Sequence, residues 1–346
     1  MVIMGCAGCS NRKSSENNST TESTSTTTLP SVALQPETPT ASPPTHIEWS
    51  MPATVKTTQC STAITISTLD SQNHCANASS AISIQLSANS AGAFYSDASC
   101  ASQSLTAVTL PEGQCQATVY YSGSSLGTIP LTASTTDLGL TTSSIFVVGI
   151  TKITAGDYHT CALMNDATVW CWGYNFWGQL GTGNTLESSS PVQVPGLSNV
   201  SDIGTGFAHT CALINNGTLK CWGRNNEGQL GLGNTTSVSL PTDVTGLSHV
   251  TSLGLVTGGY HTCVTINDGT AKCWGYNNLG QVGNGSTSNV NSPTLVNGTD
   301  YKVKVVIGNT NTCFLLQNGA IKCVGGGTSG QLGDNNGTNN TSLVTV

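Results

Sequence analysis

The chain has 346 residues, room for two domains, and only 8 % of them are charged. With 17 acidic against 10 basic side chains and a formal net charge of -7, it offers no basic stripe for nucleic acid. Fourteen cysteines argue for an oxidising compartment, and no apolar run approaches the roughly 20 residues of a membrane-spanning helix.

The chain begins "MVIMGCAGCSNRKSS". A short apolar piece leads into small residues and cysteine, then into a polar tract. It resembles the end of a bacterial lipoprotein signal, whose cleavage leaves a lipid-modified cysteine at the new N-terminus. Cys6 or Cys9 would be that residue, although the charged start and the apolar stretch of roughly 7–15 residues are missing. Residues 1–9 are therefore read as a remnant of such a signal. Residues 10–46 are dominated by Ser, Thr and Pro with no apolar periodicity, so they cannot bury enough surface to fold. They read as a stalk on a lipid-anchored, extracytoplasmic protein.

Residues 47–150 change character. "STAITIS", "SAISIQLS", "SLTAVTL", "QATVYY" and "TIPLTAS" are short β-rich runs separated by turns such as "DSQN" and "PEGQ". Strands every ten to fifteen residues, as a rough count, predict a β-sandwich. The phrases "FYSDASC" and "VTLPEGQCQATVYYSG" resemble immunoglobulin-like modules of large bacterial surface proteins. Four cysteines here allow three connectivities. Cys75 and Cys115 both follow turns, which favours Cys75–Cys115 together with Cys60–Cys100.

Residues 151–346 hold a phrase that occurs four times: "HTCALMNDATVWCWG", "HTCALINNGTLKCWG", "HTCVTINDGTAKCWG" and "NTCFLLQNGAIKCVG". Their first cysteines are Cys161, Cys211, Cys263 and Cys313, about 50 residues apart. In the second copy, Asn215-Asn216-Gly217 suits a three-residue hairpin loop with glycine in the left-handed position. That loop pairs Ile214 with Thr218, and counting outward sets Cys211 opposite Cys221 at a non-hydrogen-bonded site. Cα atoms there come within roughly 4.5 Å, close enough for a disulfide. The predicted bonds are Cys161–Cys171, Cys211–Cys221, Cys263–Cys273 and Cys313–Cys323. Ala167 replaces the turn glycine in the first copy and should be strained. His209, Cys211 and Cys221 share a face and form a possible zinc set. The fourth copy keeps both cysteines but has Asn311 in the histidine place, which favours thiols that need each other and no metal.

A second phrase follows each hairpin: "GQLGTGN", "GQLGLGN", "GQVGNGS" and "GQLGDNN", then a proline-containing strand. Together, "G…HTCAL…NGT…CWG…N..GQLG.G…P..V" resembles the repeat of the regulator of chromosome condensation family. The resemblance implies a β-propeller of four-stranded blades, usually seven. The fold class expected is all-β, an immunoglobulin-like sandwich followed by a partial propeller of four repeats. Four units fall short of seven, so the chain is expected to be a fragment or to close by partnering, with open blade edges inviting self-association.

Residues that recur, Trp172, Trp222 and Trp274 with His159, His209 and His261, are expected to pack and hydrogen-bond between blades. Residues that differ are better candidates for recognition. They stand just before each hairpin and just after each "CWG", so blade symmetry gathers them at one end. That end would carry Tyr158, Tyr174, Phe176, Trp177, Phe207, Tyr260 and Tyr276, with Trp177 as an anchor and Arg224 a polar contact beside it. No phosphate-cradling loop and no asymmetric catalytic set stands outside the repeats, so no enzyme, metal or cofactor is expected. The expected function is non-catalytic binding of a protein or glycan at the cell surface. The family resemblance implies two alternatives. One is inhibition of a secreted enzyme, since a propeller of this family blocks a β-lactamase. The other is nucleotide exchange on a small GTPase, which the oxidising compartment and acidic charge disfavour.

Overall fold

The computed structural model of the protein describes residues 42–88, 92–254, 259–298 and 302–346. Cys6, Cys9 and the stalk up to residue 41 lie outside the described residues. Every regular element among the described residues is a β-strand.

The first nine strands are β1 (His46–Ser50), β2 (Thr54–Lys56), β3 (Ile64–Leu69), β4 (Ile82–Ser87), β5 (Gly92–Tyr95), β6 (Ala107–Leu110), β7 (Gln116–Gly123), β8 (Gly127–Thr135) and β9 (Gly139–Val148). They form two sheets, ordered β1-β3-β7-β5 and β2-β9-β8-β4-β6. Alternation along the strands sends one residue in two inward. Ile64 and Ile66 of β3, Val119 and Tyr121 of β7, Leu131 and Ala133 of β8, and Ile145 and Val147 of β9 thus share one core. Disulfides Cys60–Cys100 and Cys75–Cys115 pin loops of this two-sheet unit, with Cα separations of 5.6 and 5.7 Å. The first strand begins at His46, one residue inside the stretch read as stalk.

Four antiparallel meanders follow, one per repeat. Blade 1 is β10 (Ile150–Ala155), β11 (His159–Met164), β12 (Val169–Gly173) and β13 (Ser188–Gln193). Blade 2 is β14 (Val200–Thr205), β15 (His209–Ile214), β16 (Leu219–Gly223) and β17 (Val238–Asp243). Blade 3 is β18 (Val250–Leu253), β19 (His261–Ile266), β20 (Ala271–Gly275) and β21 (Val290–Leu295). Blade 4 is β22 (Lys302–Ile307), β23 (Asn311–Leu316), β24 (Ile321–Gly325) and β25 (Asn340–Thr345). In blade 2 Ile214 N–H donates to Thr218 O at 2.9 Å and Cys211 faces Cys221. All four hairpin disulfides form, each with a Cα separation of 4.1 Å. Turn residue Ala167 has φ of 63°, the left-handed region where its glycine counterparts Gly217 and Gly269 sit at 82° and 83°.

The joints between blades explain the recurrent residues. Apolar side chains of blade 1 (Leu163, Val169, Leu180, Val194) pack on Val200, Ile203, Ala212, Ile214 and Trp222 of blade 2. At the centre lies one backbone oxygen. The carbonyl of Gln179 accepts from Thr210 Oγ1 and from Trp222 Nε1, each at 2.9 Å. Thr210 has thereby spent its proton, so His159 Nε2–H donates to its oxygen at 2.9 Å. The next joint repeats the arrangement with Gln229, Thr262, Trp274 and His209. The third uses Gln281, Thr312 and His261. There Val324 replaces tryptophan and packs against Val296 beside Gly283. Gly181 lets the indole in: at φ 75°, a Cβ on it would stand 2.6 Å from Trp222 Nε1. The three histidines are buried, and burial lowers their pKa values to about 4 for His159 and about 3 for His209 and His261. At neutral pH they are uncharged.

Seam packing does not extend to every tryptophan of the repeat. Trp222 and Trp274 are fully buried, whereas Trp172 is only half-buried, because no preceding blade lies against it among the described residues.

Candidate aromatic recognition face

Each loop after "CWG" is held beside the loop before its hairpin by a backbone bond. Tyr174 N–H donates to Tyr158 O at 2.8 Å, Arg224 to Ala208 at 2.9 Å and Tyr276 to Tyr260 at 3.0 Å. Gly173 makes this approach possible: its φ is 109°, and a Cβ there would sit 2.5 Å from Tyr158 O. Neighbouring blades are linked in the same row, since Asp157 N–H donates to Phe207 O and Phe207 N–H to Gly259 O. The variable residues thus share one end of blades 1–3.

The eight candidate residues form one connected cluster. Trp177 meets Phe176 edge-on at 5.1 Å between centroids, and Phe176 stacks on Tyr174 at 6.3 Å. Tyr174 touches Tyr158, which touches Phe207 across the joint. Phe207 stacks on Tyr260 at 4.3 Å, and Tyr260 reaches Tyr276 at 6.2 Å. The most exposed rings are Tyr158 at 66 % and Phe176 at 61 %. Trp177, expected as the anchor, is half-buried and packs edge-on against Phe176.

Arg224 lies beside Trp177, as expected, and also reaches the centre of the cluster. Its guanidinium lies 5.5 Å from the Trp177 ring centroid, 5.8 Å from Phe207 and 5.1 Å from Tyr260. Each such contact is worth about 0.5–2 kcal/mol, more as water is excluded. Glu227 Oε1 accepts from its Nη2 at 2.7 Å, which neutralises the charge under the rings. Burial raises the pKa of the Tyr260 phenol, with Arg224 opposing the shift. The cluster therefore presents aromatic rings and phenol hydroxyls around one ion pair, and its most exposed rings lie at the blade 1 end. Beside Tyr174 lies a polar hollow of about 430 Å³, lined also by Gly173, Glu187, Ser188 and Ser189.

One part of the variable loop is not variable in role. Asn175, Asn225 and Asn277, which stand in the loops after "CWG", are fully buried. Asn175 Nδ2 donates to the carbonyls of Asn184 and Leu186, and its Oδ1 accepts from Leu180 N–H. Asn225 and Asn277 stitch their loops in the same way. Their recurrence in three copies was the signal. The zinc alternative has no thiolates to use, because Cys211 and Cys221 are bonded to each other.

Comparison with known proteins agrees on the repeat. The sequence profile of the Regulator of chromosome condensation (RCC1) repeat matches residues 166–213, 216–265 and 268–315. A second profile of the repeat matches 150–179 and 200–229. Each longer match runs from a hairpin turn into the first hairpin strand of the next blade, so the unit read from sequence straddles a joint. A 45-residue stretch is 49 % identical to the ultraviolet-B receptor UVR8 of Arabidopsis thaliana, covering 13 % of this chain and 10 % of the receptor. Yeast RCC1 (Prp20), solved bound to Kap60, superposes with a TM-score of 0.52 at 21 % identity, over 64 % of this chain and 57 % of that one. Prp20p from Saccharomyces cerevisiae, described with its binding to Gsp1p and histones, gives 0.53 at 19 % identity over 82 % and 74 %. Human WBSCR16 gives 0.51 at 17 % identity over 77 % and 79 %. At these identities the likeness concerns fold. The chain thus spans a tenth of the receptor and 57 % of the Kap60-bound RCC1 chain. The repeat region of this chain is built of RCC1 repeats, folded as blades of an RCC1-like β-propeller.

Proposed function

We propose that the chain is a non-catalytic, extracytoplasmic binding module whose aromatic face takes a protein or glycan ligand. The observation that carries this reading is the continuous cluster from Trp177 to Tyr276, with Tyr158 and Phe176 exposed at one end and Arg224 fixed at its middle. Exposed aromatic rings cost solubility, and preorganised aromatics with an arginine are what interface centres use. RCC1-repeat propellers include proteins solved with protein partners, as in yeast RCC1 bound to Kap60. Six disulfides among the described residues support an oxidising compartment. No described helix is long and apolar enough to cross a membrane, so attachment, in this reading, falls to lipid on Cys6 or Cys9. The two-sheet layer would be an immunoglobulin-like spacer between anchor and face.

The test is to probe a glycan array and a panel of secreted and surface proteins with the wild-type chain and with a Tyr158→Ala/Phe176→Ala variant. Both residues are exposed, so the variant should melt with the wild type. Ligands that the wild type retains and the variant loses, at least tenfold in Kd, support the face. Equal binding by both proteins would move recognition elsewhere.

A further inference from the structure

Blade 1 departs from its sister blades at exposed places around one end of the aromatic face. Phe176 stands where blades 2, 3 and 4 have Asn226, Asn278 and Thr328. Leu186 stands where they have Thr236, Ser288 and Thr338. Phe176 is 61 % exposed and Leu186 74 %. This openness belongs to the positions themselves. Asn226, Asn278, Thr236 and Ser288 are exposed too, although blades 2 and 3 each have a blade on both sides. The fold does not ask for apolar side chains there, since three copies carry polar ones.

Both apolar residues are held from behind. Asn175, next to Phe176, donates from Nδ2 to the Leu186 carbonyl and accepts on Oδ1 from Leu180 N–H, each at 2.8 Å. Phe176 stacks on Tyr174, which meets Tyr158 at 6.1 Å between centroids. Carboxylates flank this patch in sequence: Glu187 follows Leu186, and Asp157 precedes Tyr158. Both are exposed, and neither pairs with a cation among the described residues. In the sister blades the place of Glu187 is held by Ser237, Asn289 and Asn339. Their side-chain oxygens accept from the backbone N–H of Asn225, Asn277 and Gly327, a bond that Glu187 does not make to Asn175.

We propose that this patch takes a basic amphipathic segment of a protein partner. The segment lays its apolar stripe on Tyr158, Phe176 and Leu186, and its lysine or arginine side chains reach Asp157 and Glu187. The inference rests on the aromatic face as the binding face and narrows its ligand. A sugar fits poorly, because Phe176 and Leu186 offer its hydroxyls neither donor nor acceptor, and covering a hydroxyl without a partner costs free energy. Apolar anchors at helical spacing suit an amphipathic helix, and the rim carboxylates select a basic one. The formal net charge of -7 favours the approach of such a partner.

The experiment is fluorescence anisotropy on the full chain with a labelled peptide of leucine and lysine at the spacing of an amphipathic helix. One control peptide has glutamate for lysine, the other serine for leucine. Wild type should bind the leucine–lysine peptide about tenfold or more tighter than either control. The variants Phe176→Asn, Leu186→Ser and Glu187→Asn use residues that blade 3 carries at the same places, so they should melt with the wild type. Phe176→Asn and Leu186→Ser should each weaken the leucine–lysine peptide about fivefold or more. Glu187→Asn should weaken it more at low salt than at high. Glu112→Gln, the same loss of charge in the turn between β6 and β7, should leave it unchanged. The proposal is overturned if the peptide binds no better than its controls, or if Phe176→Asn and Leu186→Ser bind it like wild type. It is also overturned if Glu112→Gln weakens binding as much as Glu187→Asn. Array ligands lost by the Tyr158→Ala/Phe176→Ala chain but kept by Leu186→Ser and Glu187→Asn would sink this inference and leave the aromatic face standing.

Discussion

Acid should weaken the blade joints, and the size of the effect follows from three buried histidines. His159, His209 and His261 are each within a joint and donate through Nε2, while their Nδ1 atoms have no partner. Burial is the main cause of their low pKa values, about 4, 3 and 3; for His209 the neighbouring histidines and Arg224 push the same way. An unfolded histidine titrates near 6.5, so between pH 6.5 and the folded values the unfolded chain holds more protons. Stability is then fully present above about pH 6.5 and is lost as pH falls toward 4. Taking each site alone, the step from pH 7.5 to 5 costs on the order of 2 kcal/mol, and the three together several kcal/mol. The depressed pKa values of Asp70, Asp97 and Asp268 act lower, below the ordinary carboxylate range, and leave this window clear. The assay is urea unfolding of the disulfide-intact protein at pH 5 to 7.5, followed by tryptophan fluorescence from Trp222 and Trp274. Asn311 occupies the histidine place in blade 4, so asparagine is the natural replacement. His209→Asn should lower stability at pH 7.5 yet remove about a third of the pH slope. A flat profile in wild type, or an unchanged slope in the triple asparagine variant, would refute the reasoning.

Three further outcomes are expected. Trp222→Ala should cost about 3–5 kcal/mol, as for a buried aromatic, while Trp172→Ala in the dilute protein should cost about 1–2 kcal/mol; equal losses in urea titrations would deny that only one of them lies in a joint. Ala167→Gly should raise stability by about 0.5–1 kcal/mol, because it relieves a left-handed alanine at φ 63°, and a lower melting temperature would contradict this. Non-reducing peptide mapping should recover Cys161–Cys171, Cys211–Cys221, Cys263–Cys273 and Cys313–Cys323, and removing one pair should cost about 2–3 kcal/mol; a link between blades would be incompatible with the hairpin register.

What the amino-acid sequence determined by itself is local. The ten-residue spacing of Cys211 and Cys221 around Asn-Asn-Gly sets the hairpin register, because turn geometry and the two-residue period of a strand act over a few bonds. The gathering of Tyr158, Tyr174 and Tyr260 at one end was legible for the same reason: each lies at a known place on a hairpin that recurs. Tertiary structure alone decided what meets across a joint. The Gln179 carbonyl that receives Thr210 and Trp222 is a backbone atom, and no side-chain pattern announces it. It also decided that Arg224 lies under the rings with Glu227, since three of its contacts come from loops of different blades. Trp172 and Trp222 stand in nearly identical phrases, yet one is half-open and the other sealed. Burial belongs to the neighbour as much as to the residue, and a repeat cannot say from within itself whether another lies against it.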